Sequence, residues 1–225
     1  RPLIFNNNDR PGIMLSSAVR KYADYYGVIC GKKNVFFTNN DSAYESAISL
    51  NKKGLNVESI IDIREKSDSE LVKEVEKIGI KIYWSHTVVD THGYKRLKKI
   101  TIMPLSKNSK SVIEKKINIK CDCLAIAGGW TPAVHLFTQS GGKLKFREED
   151  QVFLPNISQS KQISIGSSNG DFNLNEIIKN LLLNVKNFLE IENTEYDNLK
   201  IECPSDNVKK NIWLLPSNKV IGKTK

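Results

Sequence analysis

The sequence contains no run of 18 apolar residues, so no stretch has the length and composition of a membrane-crossing helix. Cysteine is sparse. Cys30, Cys121, Cys123 and Cys203 form no C-x-x-C pair, which excludes the usual zinc-knuckle and redox-dithiol patterns and favours a reducing, cytoplasmic compartment. Cys121 and Cys123 alternate on a predicted strand and are expected to enter the core on one face as small apolar residues. The three histidines, His86, His92 and His135, have no spaced carboxylate, serine or cysteine partner that would build a triad or a metal set. No catalytic residue and no metal ligand are therefore assigned. The start, RPLIFNNNDRPG, has neither an initiator Met nor an apolar core of signal-peptide length, and the chain stops in NKVIGKTK. Both ends read as those of a piece of a longer polypeptide.

Lys and Arg number 34 against 25 Asp and Glu, a net charge of +9. The lysines are spread along the chain, with modest clusters at 95–99 and 115–116 and no interleaved aromatics. That pattern describes solvated faces, and no nucleic-acid or membrane partner is expected from it.

After a turn-rich start, residues 13–26 show helical spacing through Met14, Ala18, Tyr22 and Tyr25. Val35–Thr38 reads as a strand and Ser42–Lys53 as a helix closed by Gly54. Asn56–Ile63 reads as a second strand, residues 70–78 as a helix capped by Ser69, and Ile80–Trp84 as a third strand. This β-α-β-α-β order implies parallel strands with right-handed crossovers. Tyr94–Pro104 and Val112–Lys120 then alternate apolar and polar residues, as an antiparallel hairpin with one wet face does. Cys123–Ala127 is a short apolar strand ending in Gly128-Gly129, Ile163–Ile165 repeats that design before Gly166, and residues 174–191 form the longest helix. The expected fold class is α/β: a Rossmann-like, two-dinucleotide-domain flavoprotein fold with the second domain inserted in the first, plus an antiparallel β meander. In that scheme 1–33 leave the first nucleotide domain, 34–122 form an inserted, degenerate Rossmann-like domain, 123–192 return to the first, and 193–225 are a linker.

Four collinear stretches carry a more specific resemblance: RPLIFNNNDRPGIMLSSAVRKY, FTNNDSAY, CDCLAIAGGWTPAVHLFTQSGGKL and ISIGSSNGDF. They resemble the α subunits of heterotetrameric sarcosine oxidases over residues 1 to about 192, and WLLPS at 213–217 fits the same family. α-type subunits of related amine or opine dehydrogenases share this region, and a non-catalytic scaffold is the remaining alternative. The resemblance implies a complex that oxidises sarcosine to glycine, releasing hydrogen peroxide and a one-carbon unit for tetrahydrofolate. It implies NAD in this subunit, FAD and FMN elsewhere in the complex, and β, γ and δ subunits as partners. It also implies an aminomethyltransferase-like domain beyond residue 225, and a segment that is inactive alone.

The stretch VFFTNNDSAYESA sits where a nucleotide fold places G-x-G-x-x-G, with Thr38, Asn40 and Ala43 in the glycine positions. A Cβ at the second position obstructs the pyrophosphate, and Asp41 puts negative charge at the helix N-terminus that should receive it. Asp41 is expected instead to cap that helix. Polar recognition of another group, or a subunit contact, is the competing reading, and Thr38 and Asn39 remain weak cofactor candidates. Asp62 lies 24 residues after Thr38, near the roughly 20-residue spacing of a ribose-binding acid. It is a weak candidate too, since Arg64 is close enough in sequence to pair with it. Gly128, Gly129, Trp130 and Thr131 after the return strand, with Gly166 and Ser167, are the favoured nucleotide contacts. Flavin-binding relatives carry Gly-Asp at the last step, so Gly166-Ser167 fits NAD better than FAD.

Overall fold

The computed structural model describes residues 1–190 and 212–216. Two compact units divide these residues. The first holds Arg1–Gly129 with 212–216, and the second begins at Trp130.

The first unit is built on a parallel sheet in which β1 (Ile13–Leu15), β8 (Cys123–Ala127), β2 (Asn34–Thr38), β3 (Val57–Asp62) and β4 (Lys81–Trp84) lie side by side. The crossovers are α2 (Ser42–Lys52) and α3 (Glu70–Lys77), and α1 (Ser16–Tyr26) links β1 to β2. Every residue of β2 and β8 is buried. Continuous burial is expected of parallel strands covered on both faces. Alternation along β2 sends Phe36 into one core with Ala43, Tyr44, Ile48, Val72 and Val75 of α2 and α3. Val35 and Phe37 go to the other, with Ile61, Val88, Leu97, Ile100 and Ile102. That second face is covered by an antiparallel meander of β5 (His86–His92), β6 (Lys99–Pro104) and β7 (Ile117–Lys120), in the order β5-β6-β7.

This is the α/β, Rossmann-like architecture with a meander that the residue pattern predicts. Ser69 caps α3, its side chain accepting from the Val72 amide. Two strands of this unit escaped the reading, as did β9 (Lys143–Arg147) and β10 (Val152–Ile157) of the second. β1 hides in the first turn of the apparent helix from Ile13, and it exists because Ile13–Leu15 pair with Leu124–Ile126. β5 has a register shift between Val88 and Asp90, which breaks the period-2 alternation a strand is recognised by. The segment expected to leave the first nucleotide domain thus contributes an edge strand. The segment expected to return contributes β8, an interior strand between β1 and β2.

Cys121 and Cys123 correct the expectation of a shared face. Cys121 packs in the meander-side core and Cys123 in the helix-side core, because Cys121 precedes β8 and the chain turns between them. Burial, followed by the neighbouring thiols, pushes both up to about 12. A folded-state pKa above the roughly 8.5 of an exposed thiol stabilises the fold below that pH, and the contribution is lost as pH climbs toward 12. Stability should therefore fall above about pH 8.5. Alkylation at pH 8 should spare Cys121 and Cys123 until denaturant is added, which peptide mass mapping would read directly.

In the second unit, α4 (His135–Gln139) precedes a hairpin of β9 (Lys143–Arg147) and β10 (Val152–Ile157), closed by the Arg147–Asp150 ion pair. A 3₁₀ turn at Gly166–Asn169 leads to α5 (Leu174–Leu189), whose cap Asn173 accepts from the Asn175 and Glu176 amides. The expected strand at Ile163–Ile165 joins no ladder among the described residues, although Ile165 itself is extended. A strand needs a neighbour for its amides and carbonyls, and none lies beside it there. Residue 191, the expected last residue of the long helix, lies outside the described residues, as does most of the predicted linker.

Candidate functional site

In an open parallel sheet, ligands bind beyond the carboxyl ends of the strands. Here that edge is formed by the ends of β2, β3 and β8. Thr38, Asn39, Asn40, Asp41 and Asp62 converge there, and all are buried.

The turn after β2 is closed by its own side chains. The Thr38 hydroxyl lies 2.7 Å from the Asn40 carbonyl oxygen and 3.2 Å from that of Ala127, two acceptors for its one proton, and accepts from the Asn40 amide at 3.1 Å. Asn39 donates from its backbone to the Ala127 carbonyl and from its side chain to the Ile212 carbonyl. Asn40 Nδ2 donates to Asn39 Oδ1 at 2.7 Å and to the Ala127 carbonyl at 3.2 Å. Its Oδ1 accepts from the Ser42 amide at 3.0 Å and from the Ser42 hydroxyl. The Ser42 amide opens α2 and is one of the donors a phosphate would need. It is already satisfied from within.

Asp41 occupies the N-cap position, yet its carboxylate makes no cap hydrogen bond. That corrects the expected capping role: the carboxylate turns to Arg64, with Nη2 2.6 Å from Oδ1. Arg64 also donates from Nε and Nη2 to Asp62, the Nη2–Oδ2 distance being 2.7 Å, and its backbone amide donates to Asp62 Oδ1 at 2.8 Å. Tyr44, on α2, donates its hydroxyl to Asp62 Oδ2 at 2.8 Å and stacks on Trp84. Side-chain exposure is only 6% for Arg64, 4% for Asp41 and 0% for Asp62. Burial, reinforced by the Asp62 charge, pushes the Tyr44 phenol far up. Burial alone would lower the Arg64 pKa, but Asp62 and Asp41 raise it above its ordinary value. The cluster is thus a buried guanidinium between two carboxylates, with an excess of negative charge. A pyrophosphate would meet that charge, the Asn40 side chain and amides already bonded. The residues at this turn do not fit a dinucleotide, and Asp62 has no free oxygen edge to offer a ribose.

Gly128 follows β8 and is equally committed. Its amide donates to the Arg1 carbonyl at 2.8 Å, and its carbonyl accepts from Trp213 Nε1. A Cβ there would come within 2.8 Å of the Arg1 oxygen and 2.9 Å of the Pro2 oxygen, both backbone atoms. The close approach that glycine permits is to the chain itself. Gly128→Val should cost about 1–3 kcal/mol by overpacking, read as a lowered urea midpoint with unchanged slope. Gly129 has φ +83° and faces more open space. Trp130 is 54% exposed and Thr131 is exposed. In the second unit Gly166 is buried at φ +72° beside Ile177, and Ser167 is exposed.

The histidines serve separate local contacts. His86 Nδ1 lies 2.6 Å from the Trp84 carbonyl, His92 Nε2 lies 2.8 Å from the Thr101 hydroxyl, and His135 opens α4. Three participants of the carboxyl-edge cluster were not singled out as site residues from the sequence. Tyr44 reads as an ordinary buried helix position, and Ile212 and Trp213 read as a late apolar patch and part of the family resemblance, with no sign that they cover this edge.

Parallel strands with helices on one face and a meander on the other define the nucleotide-domain fold of flavin- and nicotinamide-dependent oxidoreductases. The *Lactococcus lactis* thioredoxin reductase superposes with a TM-score of 0.58 at 13% identity, over 85% of this chain and 63% of that one. The *T. acidophilum* enzyme gives 0.55 at 16%, over 85% and 61%. At the level of sequence, the chain is similar to one segment of sarcosine oxidase subunit alpha. It is 35% identical over 172 residues to that subunit from *Corynebacterium* sp. strain P-1, covering 76% of this chain and 18% of the relative. The strain U-96 subunit is 31% identical over 170 residues, covering 76% and 17%. The chain therefore spans less than a fifth of the length of these relatives. No family model matches it.

Proposed function

We propose that the chain is the nucleotide-fold part of a sarcosine-oxidase-type α subunit, in which the turn after β2 has become a structural plug. The observation that carries this is the buried Asp41–Arg64–Asp62–Tyr44 cluster, standing with Asn40 where a phosphate would lie. NAD contact then falls to Gly128, Gly129, Trp130 and Thr131, and to Gly166 and Ser167. Of these, Gly129, Trp130, Thr131 and Ser167 keep accessible surface, whereas Thr38, Asn39 and Asp62 are buried and bonded. NAD would supply a bound nucleotide to the subunit, and this chain's residues would hold and orient it.

In this reading the whole enzyme converts sarcosine to glycine with hydrogen peroxide and a one-carbon unit for tetrahydrofolate. FAD and FMN serve elsewhere in the complex, and the chain contributes no catalytic residue. Docking of the β, γ or δ subunits is supported by the face of α1. Tyr22, Tyr25 and Tyr26 are exposed there and form edge or tilted ring pairs, with Val28 and Ile29 exposed just beyond. Exposed aromatic clusters of this kind mark interaction sites.

The test is nucleotide extraction from the assembled oxidase containing this chain. Stoichiometric NAD is expected, and it should persist in a Thr38→Val variant. Absence of NAD, or its loss on that substitution, would overturn the reading.

A further inference from the structure

A second concave region lies at the opposite, amino-terminal side of β2 and β8, where the chain passes between the meander and the parallel sheet. It is a cleft of about 810 Å³ within the first unit, in the range of small-molecule sites, which run roughly from 300 to 1,000 Å³.

Register makes its charge unusual. His92 pairs with Lys99 across β5 and β6, and Lys99 pairs with Lys120 across β6 and β7. The three side chains therefore form one row on the wet face of the meander. Lys99 directly opposite Lys120 is a like-charge pair, an arrangement that destabilises a sheet unless something offsets it. Arg96, Lys98 and Lys32 add three more cations to the walls. Among the described residues, no carboxylate forms an ion pair with Lys32, Arg96, Lys98, Lys99 or Lys120, and Lys33 reaches only Glu58, at 3.9 Å. Asp122, the acid in the cleft, spends its carboxylate on the Lys32 and Lys33 amides at 3.1 and 2.8 Å. His92 Nε2 lies 2.8 Å from the Thr101 hydroxyl, which lies 2.8 Å from Asn118 Oδ1, so the imidazole is held in the row by this chain of contacts. Leu97 and Cys121, both buried, form an apolar floor, and lysine stems extend it.

We propose that this cleft binds a small organic anion: a compact apolar body, such as an aromatic ring, carrying two or more negatively charged groups. The floor takes the body, and the Lys99–Lys120 row with Arg96 takes the charges, relieving the like-charge contact. An acidic protein segment is less well matched, since buried Leu97 and Cys121 give the site an apolar floor that a run of carboxylates would not use. The proposal is independent of the nucleotide reading at the carboxyl edge.

The test uses pyrenetetrasulfonate as a fluorescent probe, titrated into the purified protein at about 50 mM salt, where screening is weak. Saturable one-site binding is expected, weakened at least tenfold in Lys99→Gln/Lys120→Gln and unchanged in Lys73→Gln/Lys77→Gln on α3. The Lys99→Gln/Lys120→Gln protein should also melt at the same or a higher temperature without probe, showing that the loss is not unfolding. Four results would overturn the proposal: no saturable binding, equal binding by both variants, competition by inorganic pyrophosphate as strong as by naphthalene-1,5-disulfonate, or tighter binding of an octaglutamate peptide than of the probe.

Discussion

Replacing Arg64 with Met should destabilise the first unit by about 3–5 kcal/mol, the usual cost of stranding buried charge. At the sensitivity of a chain this size that is a drop in melting temperature of roughly 6–20 °C. Arg64 is the one guanidinium between Asp41 and Asp62, and all three side chains are nearly or wholly inaccessible. Its removal leaves two carboxylates facing each other without solvent. The neutral triple variant Asp41→Asn/Arg64→Gln/Asp62→Asn keeps polar groups and removes the charge, so it should recover at least half of the loss. If Arg64→Met alone melts like the parent, the cluster is not the structural plug described here.

Trp213→Ala has the next largest expected effect, about 3–5 kcal/mol for a large aromatic truncated in a core. Trp213 packs with Leu3, Phe5, Phe37 and Leu215, donates to the Gly128 carbonyl and lies under the Arg1 guanidinium at 3.8 Å. Backbone bonds tie its segment to residue 4: the Ile4 amide donates to the Trp213 carbonyl at 2.7 Å, and the Leu215 amide donates to the Ile4 carbonyl at 3.0 Å. Loss of the ring should raise amide exchange at residues 3–5 and 128–129 while leaving α3 unchanged. Because Asn40 and the charged cluster remain, uncovering the edge should not create nucleotide affinity.

The interior parallel strands β2, β3 and β8 were legible because both their faces are buried, which writes apolar runs such as VFF and SIIDI into the sequence. The helices announced themselves through Ser69, Gly54 and their spacing. β1 and β5 were not legible, since one is three residues long and the other carries a bulge. β1 exists only through β8, a partner more than a hundred residues away in sequence. At the candidate site, the polar residues in place of glycines in TNNDSAY hinted at a turn closed by its own side chains, and Asp62 with Arg64 two residues on hinted at an ion pair. What a single sequence could not supply was convergence. Asp41 joins that pair, and not the helix cap, only because the carboxyl ends of β2 and β3 lie side by side. The similarity to sarcosine oxidase α subunits rests on collinear motifs, a different kind of information from periodicity or charge.

The central claim is that the turn after β2 is filled by the protein itself and has no nucleotide role. Hydrogen exchange of peptides covering residues 38–46, in the assembled protein with and without saturating NAD, tests it most directly. Slow exchange without nucleotide, unchanged on adding it, is the predicted result. Exchange that is fast without NAD and suppressed in proportion to occupancy would contradict the account.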